Sequence, residues 1–465
     1  MLAVAAGVRL ATAIAYWPAL FLSDSWSYIA AAYTDWPVDF LPDRPSGYPL
    51  VLKLLSPLGH SLAVVTTLQH LAGLTIGVLA YILMVRLEVN RWVAAAASAV
   101  ILLNAYSIAL EEHVMAETFF ALALTVGVFL AVAARPTPAT LAGSAASLGV
   151  ACTMRTAGLL ALPLLLLFWL RAGGRRGFAA AVLGFAAPVL CYFGLQAASG
   201  SAVGFTQASG WFLYGRVAPL ADCRHPSVRR AGETLCALTQ RTGDQGPAFY
   251  VWNPASPARR IYGNMDNPRS DRALRRFAIA VVRDRTRAYA HVVARESSYY
   301  FYPHVPVRLN GRNAITFPIG RKPWFSASPL AVQLRRRYFP DMSGHSHPPA
   351  AALRQYQRVA RPPALLLAAL TLVALLGVAF GRGRRWEAML LIGVGLCIIV
   401  GTTATTAFDV RYAVPVMPLV VCAGAVGGSS LWRRFAPSRA RSSPGGRPPR
   451  SPAAGPAAPR PTSSP

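Results

Sequence analysis

The feature that constrains this 465-residue chain most is a series of apolar runs near 2 to 22, 61 to 85, 92 to 109, 117 to 134, 177 to 198, 362 to 381, 386 to 407 and 411 to 430. About 20 helical residues cross the ~30 Å hydrocarbon core of a bilayer, where every backbone polar group must be satisfied within the protein. Runs of that length predict helices in a membrane. The stretch 139 to 170 is apolar apart from Arg155 and too long for one ordinary crossing, so two short helices meeting at Arg155 are expected. The expected fold is an all-α polytopic membrane protein of about ten transmembrane helices. The composition, 54% apolar against 14% charged, excludes a purely soluble protein.

Short-loop arginines set the orientation, because cytoplasmic loops retain Lys and Arg. Arg86 and Arg91, Arg135, Arg171 to Arg176, Arg382 to Arg385, and Arg433 with Arg434 fall on one side if the N-terminus is cytoplasmic. Both termini are then inside a multi-pass cell membrane protein. No Ala-x-Ala cleavage site precedes Ser23, so the first run is read as an uncleaved span. Lysine occurs only at Lys53 and Lys322 amid abundant Arg, Ala and Pro, a usage typical of a high-GC bacterial genome, so a bacterial plasma membrane is expected.

Four regions follow: a transmembrane module over 1–198 with spans one to seven, an extracytoplasmic insertion of mixed helix and loop over 199–361, spans eight to ten over 362–432, and a tail over 433–465. The Pro, Ser, Gly and Arg of the tail cannot bury enough surface to offset ordering entropy, so disorder is expected. The insertion carries 25 basic and 8 acidic side chains, a surface suited to anionic headgroups, wall polymers or a phosphorylated carrier rather than to nucleic acid. Cys223 and Cys236 are the only cysteines expected outside, where a disulfide is the simplest reading. Cys152, Cys191, Cys397 and Cys422 fall in spans as small apolar residues. His345 and His347 have no further ligand at metal-site spacing and read as a polar loop.

The topology gathers charged residues at the outer face. Asp24 follows the first span, Glu111, Glu112 and Glu117 lie between spans three and four, Arg155 joins the two short helices, and Asp409 and Arg411 stand where span nine meets span ten. Charges beside spans pair, snorkel or serve a site. Arginines can neutralise a lipid phosphate while a carboxylate takes a proton from an acceptor.

These residues stand in a recognisable order. Ser23-Asp24-Ser25 with Tyr28 is followed by Arg44-Pro45-x-x-Tyr48-Pro49, then Glu112 and Met115-Ala116-Glu117-Thr118-Phe119-Phe120. Thr153-Met154-Arg155-Thr156-Ala157-Gly158-Leu159 precedes a helix with Pro163, and Asp409-Val410-Arg411-Tyr412 precedes Pro415 and Pro418. Over about 1–200 and 362–430 this order resembles the GT-C superfamily of polyprenyl-phosphate-sugar-dependent glycosyltransferases, which includes protein O-mannosyltransferases and aminoarabinose transferases. The resemblance implies a catalytic base at Asp24, supporting acidic residues at Glu112 or Glu117, and carrier-phosphate contacts at Arg155 and Arg411. Arg44, Tyr48, Asp409 and Tyr412 are the further substrate-binding candidates. The sequence departs from the family in having one acidic residue, Asp24, between serines where the family carries a pair, and in placing its external region between spans seven and eight.

The expected activity is sugar transfer from a polyprenyl-phosphate donor to a glycan, lipid or protein acceptor at the external face. A divalent metal can assist, although the scattered carboxylates define no ligand set. The rivals are a transporter or flippase of a lipid-linked sugar, and a non-catalytic envelope assembly protein.

Overall fold

The first helices are built by local signals that also deliver the polar residues. In the computed structural model, α1 (Leu2–Ala15) leads into an extended segment and then α2 (Ser23–Thr34). Ser25 Oγ accepts from the Leu22 backbone N–H at 2.9 Å, which fixes the start of α2 and sets Asp24 in its first turn, where the helix dipole favours negative charge. After α3 (Gly47–Leu55) come α4 (Ala63–Arg86), α5 (Arg91–Leu102), α6 (Ala105–Glu112) and α7 (Glu117–Ala131). Asn90 and Asn104 cap α5 and α6 by accepting from the N–H groups of Trp92 and Tyr106.

Helix α8 (Pro138–Met154) starts at a Thr137 cap with Pro138 in its first turn, and stops at Arg155, whose backbone is extended. A 3₁₀ turn over Thr156–Ala161 then leads into α9 (Leu162–Ala198), which bends at Gly174, where φ is 55°. The two helices expected to meet at Arg155 do so. Buried polar atoms tie α7, α8 and α9 together: Trp169 Nε1 donates to Ser144 Oγ at 3.0 Å, and Ser144 Oγ donates to the Gly127 carbonyl at 2.7 Å.

The structure describes residues 1–435 apart from 60, 133–135, 244, 304–316, 318–328, 341–345 and 363. The tail after Phe435 and His345 therefore lie outside the described residues. Among those described there are helices and turns but no strand; an isolated parallel bridge pairs Leu20 with His113. Met1–Arg434 form one unit.

Among the described residues, four helical stretches are long and apolar enough to cross a membrane: Ala63–Arg86, Thr156–Ala198, Arg385–Thr405 and Val410–Phe435. Two bent pairs, Arg91–Leu102 with Ala105–Glu112 at 44° and Pro349–Ala360 with Ala364–Phe380 at 42°, raise this to six. Leu2–Ala15 and Glu117–Ala131 are shorter apolar helices. Length and composition alone thus support fewer crossings than the ten expected, because breaks such as those after Leu102 and Met154 shorten the continuous helices.

Among the described residues there are two apolar cores. The larger runs through the apolar helices, whereas the second lies within 208–281 around Trp211, Tyr214, Tyr250 and Phe277. The Cys223–Cys236 disulfide closes a loop on that second core, with Cys236 fully buried. Around it Tyr214 Oη and Thr239 Oγ1 are hydrogen-bonded at 2.9 Å, and Asp271 accepts from the Gly210 N–H at 2.5 Å.

A guanidinium and carboxylate cluster as the candidate active site

Three arginines from distant parts of the chain interleave with four carboxylates. Arg44 reaches Asp24 Oδ2 at 3.0 Å and Asp43 at 2.6 Å. Arg411 Nη1 reaches the same Asp24 oxygen at 2.8 Å. Its Nε lies 3.6 Å from Glu117 Oε1 and 3.4 Å from Asp409 Oδ2, without a hydrogen bond. Arg155 pairs with Glu117 Oε1. The rings of Tyr28 and Tyr412 back the cations: Arg44 stands 5.4 Å from the Tyr28 ring centre, and Arg155 and Arg411 stand 5.3 and 5.6 Å from that of Tyr412.

Backbone geometry aims these groups. Asp409 caps the helix that begins at Val410 by accepting from the Arg411 N–H at 2.9 Å, so the cap and the arginine are placed together. Tyr300 Oη donates to the Asp409 carbonyl at 3.0 Å, anchoring that corner to the 3₁₀ turn Tyr299–Phe301. Gly47 lies so close to the Thr153 carbonyl that a Cβ would overlap it, which brings α3 against the end of α8 beside Arg155.

Asp24, Arg44, Arg155, Asp409 and Arg411 keep 15 to 18% of their side-chain exposure, while Glu117 has none. The cluster is reachable yet largely dry, conditions in which charge pairs are strong. Burial alone would raise the Asp24 pKa, but the guanidiniums of Arg411 and then Arg44 overcome it and hold the carboxyl well below the usual carboxylate range. Asp409 goes the other way: burial raises it above its ordinary value despite Arg411. Burial tends to lower the Arg44 pKa, but Asp24 and Asp43 outweigh it and raise the value well above the ordinary one.

Of the residues expected from sequence, Asp24, Arg44, Glu117, Arg155, Asp409, Arg411 and Tyr412 are brought together, with Asp43 as an unforeseen member. Tyr48 and Glu112 are placed elsewhere. Tyr48 is fully buried and its hydroxyl donates to Gln69 Oε1 at 2.9 Å. Glu112 joins a second, deeper group that sequence reasoning missed. His70 Nδ1 lies 2.9 Å from Glu111 Oε2, His70 Nε2 lies 2.8 Å from Glu112 Oε2, and Arg9 grips Glu111 at 2.7 and 2.8 Å. Both ring nitrogens of His70 thus face carboxylates, one of which Arg9 also holds. The available signal was a histidine and a glutamine inside an apolar run.

That deeper group positions the outer cluster. Gln69 Nε2 donates to the carbonyls of Glu111 and His113 at 2.6 and 2.8 Å, and Thr66 Oγ1 donates to the Pro18 carbonyl at 3.1 Å. Leu20 N–H donates to the Glu112 carbonyl at 2.8 Å, and Val114 N–H to the Leu20 carbonyl at 3.1 Å. One face of α4 thereby holds both the segment leading to Asp24 and the loop leading to Glu117. Gly73 on that face leaves room for the Glu111 carboxylate, which a Cβ would overlap. A narrow cavity has both Glu111 and Glu117 in its wall.

Among the described residues no three His, Cys, Asp or Glu side chains gather as metal ligands. The cluster carboxylates are instead held by guanidiniums.

The sequence matches no protein-family model and no curated protein. Among solved structures the chain is similar to ArnT from Cupriavidus metallidurans in the apo state, at 14% identity over 93% of this chain and 77% of that one, with a TM-score of 0.37. The same protein bound to undecaprenyl phosphate gives 0.36. The archaeal oligosaccharyltransferase AglB from Archaeoglobus fulgidus, in complex with an inhibitory peptide and a dolichol-phosphate, is similar at 13% identity over 93% of this chain, with a TM-score of 0.38. The match spans 50% of that chain.

Proposed function

We propose that the chain is a membrane glycosyltransferase that moves a sugar from a polyprenyl-phosphate donor to a glycan, lipid or protein acceptor at the external membrane face. The observation that carries this is the convergence of Arg44 and Arg411 on Asp24, with Arg155 beside them on Glu117: guanidiniums able to hold a phosphate next to a carboxylate able to take a proton. The acceptor hydroxyl oxygen attacks the anomeric carbon as its proton passes to Asp24. The bond from that carbon to the phosphate oxygen breaks, and its electron pair leaves on polyprenyl phosphate, with inversion at carbon. Arginines stabilise the charge gathering on the departing phosphate. Glu117 orients Arg155 and, more loosely, Arg411.

The topology that goes with this reading has ten crossings, cytoplasmic termini and residues 199–361 outside. Short-loop arginines support it.

One observation favours transport of a lipid-linked sugar instead. Arg9, His70, Glu111 and Glu112 are buried among the apolar helices, and ionisable groups inside spans mark ion pathways in many transporters. Their mutual pairing suits a structural clamp as well. Incubating the purified protein with a panel of polyprenyl-phosphate sugars and candidate acceptors separates the two readings. Release of free polyprenyl phosphate supports transfer, whereas transbilayer movement of intact donor in vesicles without release refutes it.

A further inference from the structure

We infer that Asp24 occupies, in the resting protein, the place on Arg411 and Arg44 that a donor phosphate takes, so that donor binding and release of Asp24 as a base are one exchange of anions. This rests on the transferase reading above and says how its site is switched on.

The geometry is that of a filled anion site. Two guanidiniums, one from the loop before α3 and one from the helix starting at Val410, converge on the single oxygen Asp24 Oδ2 at 3.0 and 2.8 Å. A carboxylate and a phosphodiester each present two anionic oxygens that a guanidinium grips in the same forked way, and each carries one negative charge. Replacing one by the other leaves the arginines neutralised. Arg411 Nε has no hydrogen bond in the resting state, so a donor is in hand for an incoming oxygen that Asp24 does not use. The 15 to 18% exposure of Asp24, Arg44 and Arg411 allows the exchange without opening the core.

The exchange also removes a difficulty in the transferase reading. A carboxylate gripped by two guanidiniums is a poor base, and Asp24 is held in that condition. Once phosphate takes the arginines, the burial that disfavours the charged carboxylate acts with less opposition, and Asp24 gains proton affinity when an anomeric carbon is alongside. The charged or titratable groups around it are Arg44 and Asp43 from the loop before α3, Tyr28 on α2, Glu117 on α7, Arg155 after α8, and Asp409, Arg411 and Tyr412 at the last corner. Glu117 stays on Arg155 and keeps that cation in place.

The test uses farnesyl methyl phosphate, a phosphodiester with no proton to lose near neutral pH, titrated calorimetrically into the full-length protein in detergent. Asp24→Asn removes the competing anion and is expected to bind the probe about tenfold more tightly than wild type, equivalent to about 1.4 kcal/mol. Arg411→Ala is expected to bind it at least tenfold more weakly. Unchanged or weaker binding by Asp24→Asn, together with weakened binding by Arg411→Ala, overturns the exchange while leaving the arginine phosphate site intact. If Arg411→Ala binds like wild type, the phosphate site fails and the exchange with it. Should the Asn variant not insert, wild type decides at pH 5 in buffers of different ionisation heat: net proton uptake on binding supports the exchange, and none overturns it.

Discussion

Arg411 Nη1 lies 2.8 Å from Asp24 Oδ2, an ion pair between residues 387 positions apart. It joins the corner before the last apolar helix to the first turn after the first one, so the cluster is complete only when both ends of the helical bundle have assembled. A contact of such sequence separation is costly to close and is retained by the packing of everything between.

Asp24 and Arg411 are expected to separate in kinetics. Asp24→Asn keeps size and polarity but cannot take a proton, so kcat should fall by roughly 10² to 10⁴. Arg411→Lys should instead raise KM for the donor, because a point-charge ammonium cannot reproduce the fork between Asp24 and the Glu117–Asp409 side. Steady-state rates with an active donor check both, and near-normal turnover by correctly inserted Asp24→Asn would remove Asp24 from the chemistry.

His70→Leu leaves Glu111 and Glu112 facing an apolar side chain. Breaking a buried charge pair costs about 3 to 5 kcal/mol, so the thermal midpoint in detergent should drop clearly. Glu112→Gln, which still accepts from His70, should cost less. Equal midpoints for His70→Leu and wild type would mean that the network does not hold the two loops.

Acid should find the outer cluster. Asp24 titrates well below its usual range in the folded protein, and its unfolded value is about 3.9, so its stabilisation is complete above that value and is lost as pH falls through the folded one. The gap in melting temperature between wild type and Asp24→Asn should therefore be widest near about pH 6 and shrink toward about pH 2. A constant gap would show that the Asp24 charge contributes nothing to folding.

Reporter fusions after residues 300 and 440 should lie on opposite sides of the membrane, the first outside and the second inside. Finding both on one side would separate Asp24 from the external face and overturn the proposed topology.

Much of the architecture was legible in the residues because helix periodicity, caps and apolar length act locally. The break at Arg155 was visible as a lone cation in an apolar stretch, and Cys223 with Cys236 as the two cysteines outside the apolar runs; the structure joins that pair. Asp24, Glu117, Arg155 and Arg411 were marked by charge beside apolar sequence, where an ion needs a reason to be. What the sequence could not decide was partnership. Glu112 and Glu117 looked equivalent, four residues of loop between them, yet the 111–117 loop turns one toward His70 and the other toward Arg155. Tyr48 carried the motif but points into the core, onto Gln69. Pairings such as Asp24 with Arg411, or Arg9 with Glu111, depend on which helix faces which, and that is set by tertiary packing over hundreds of residues rather than by any local preference.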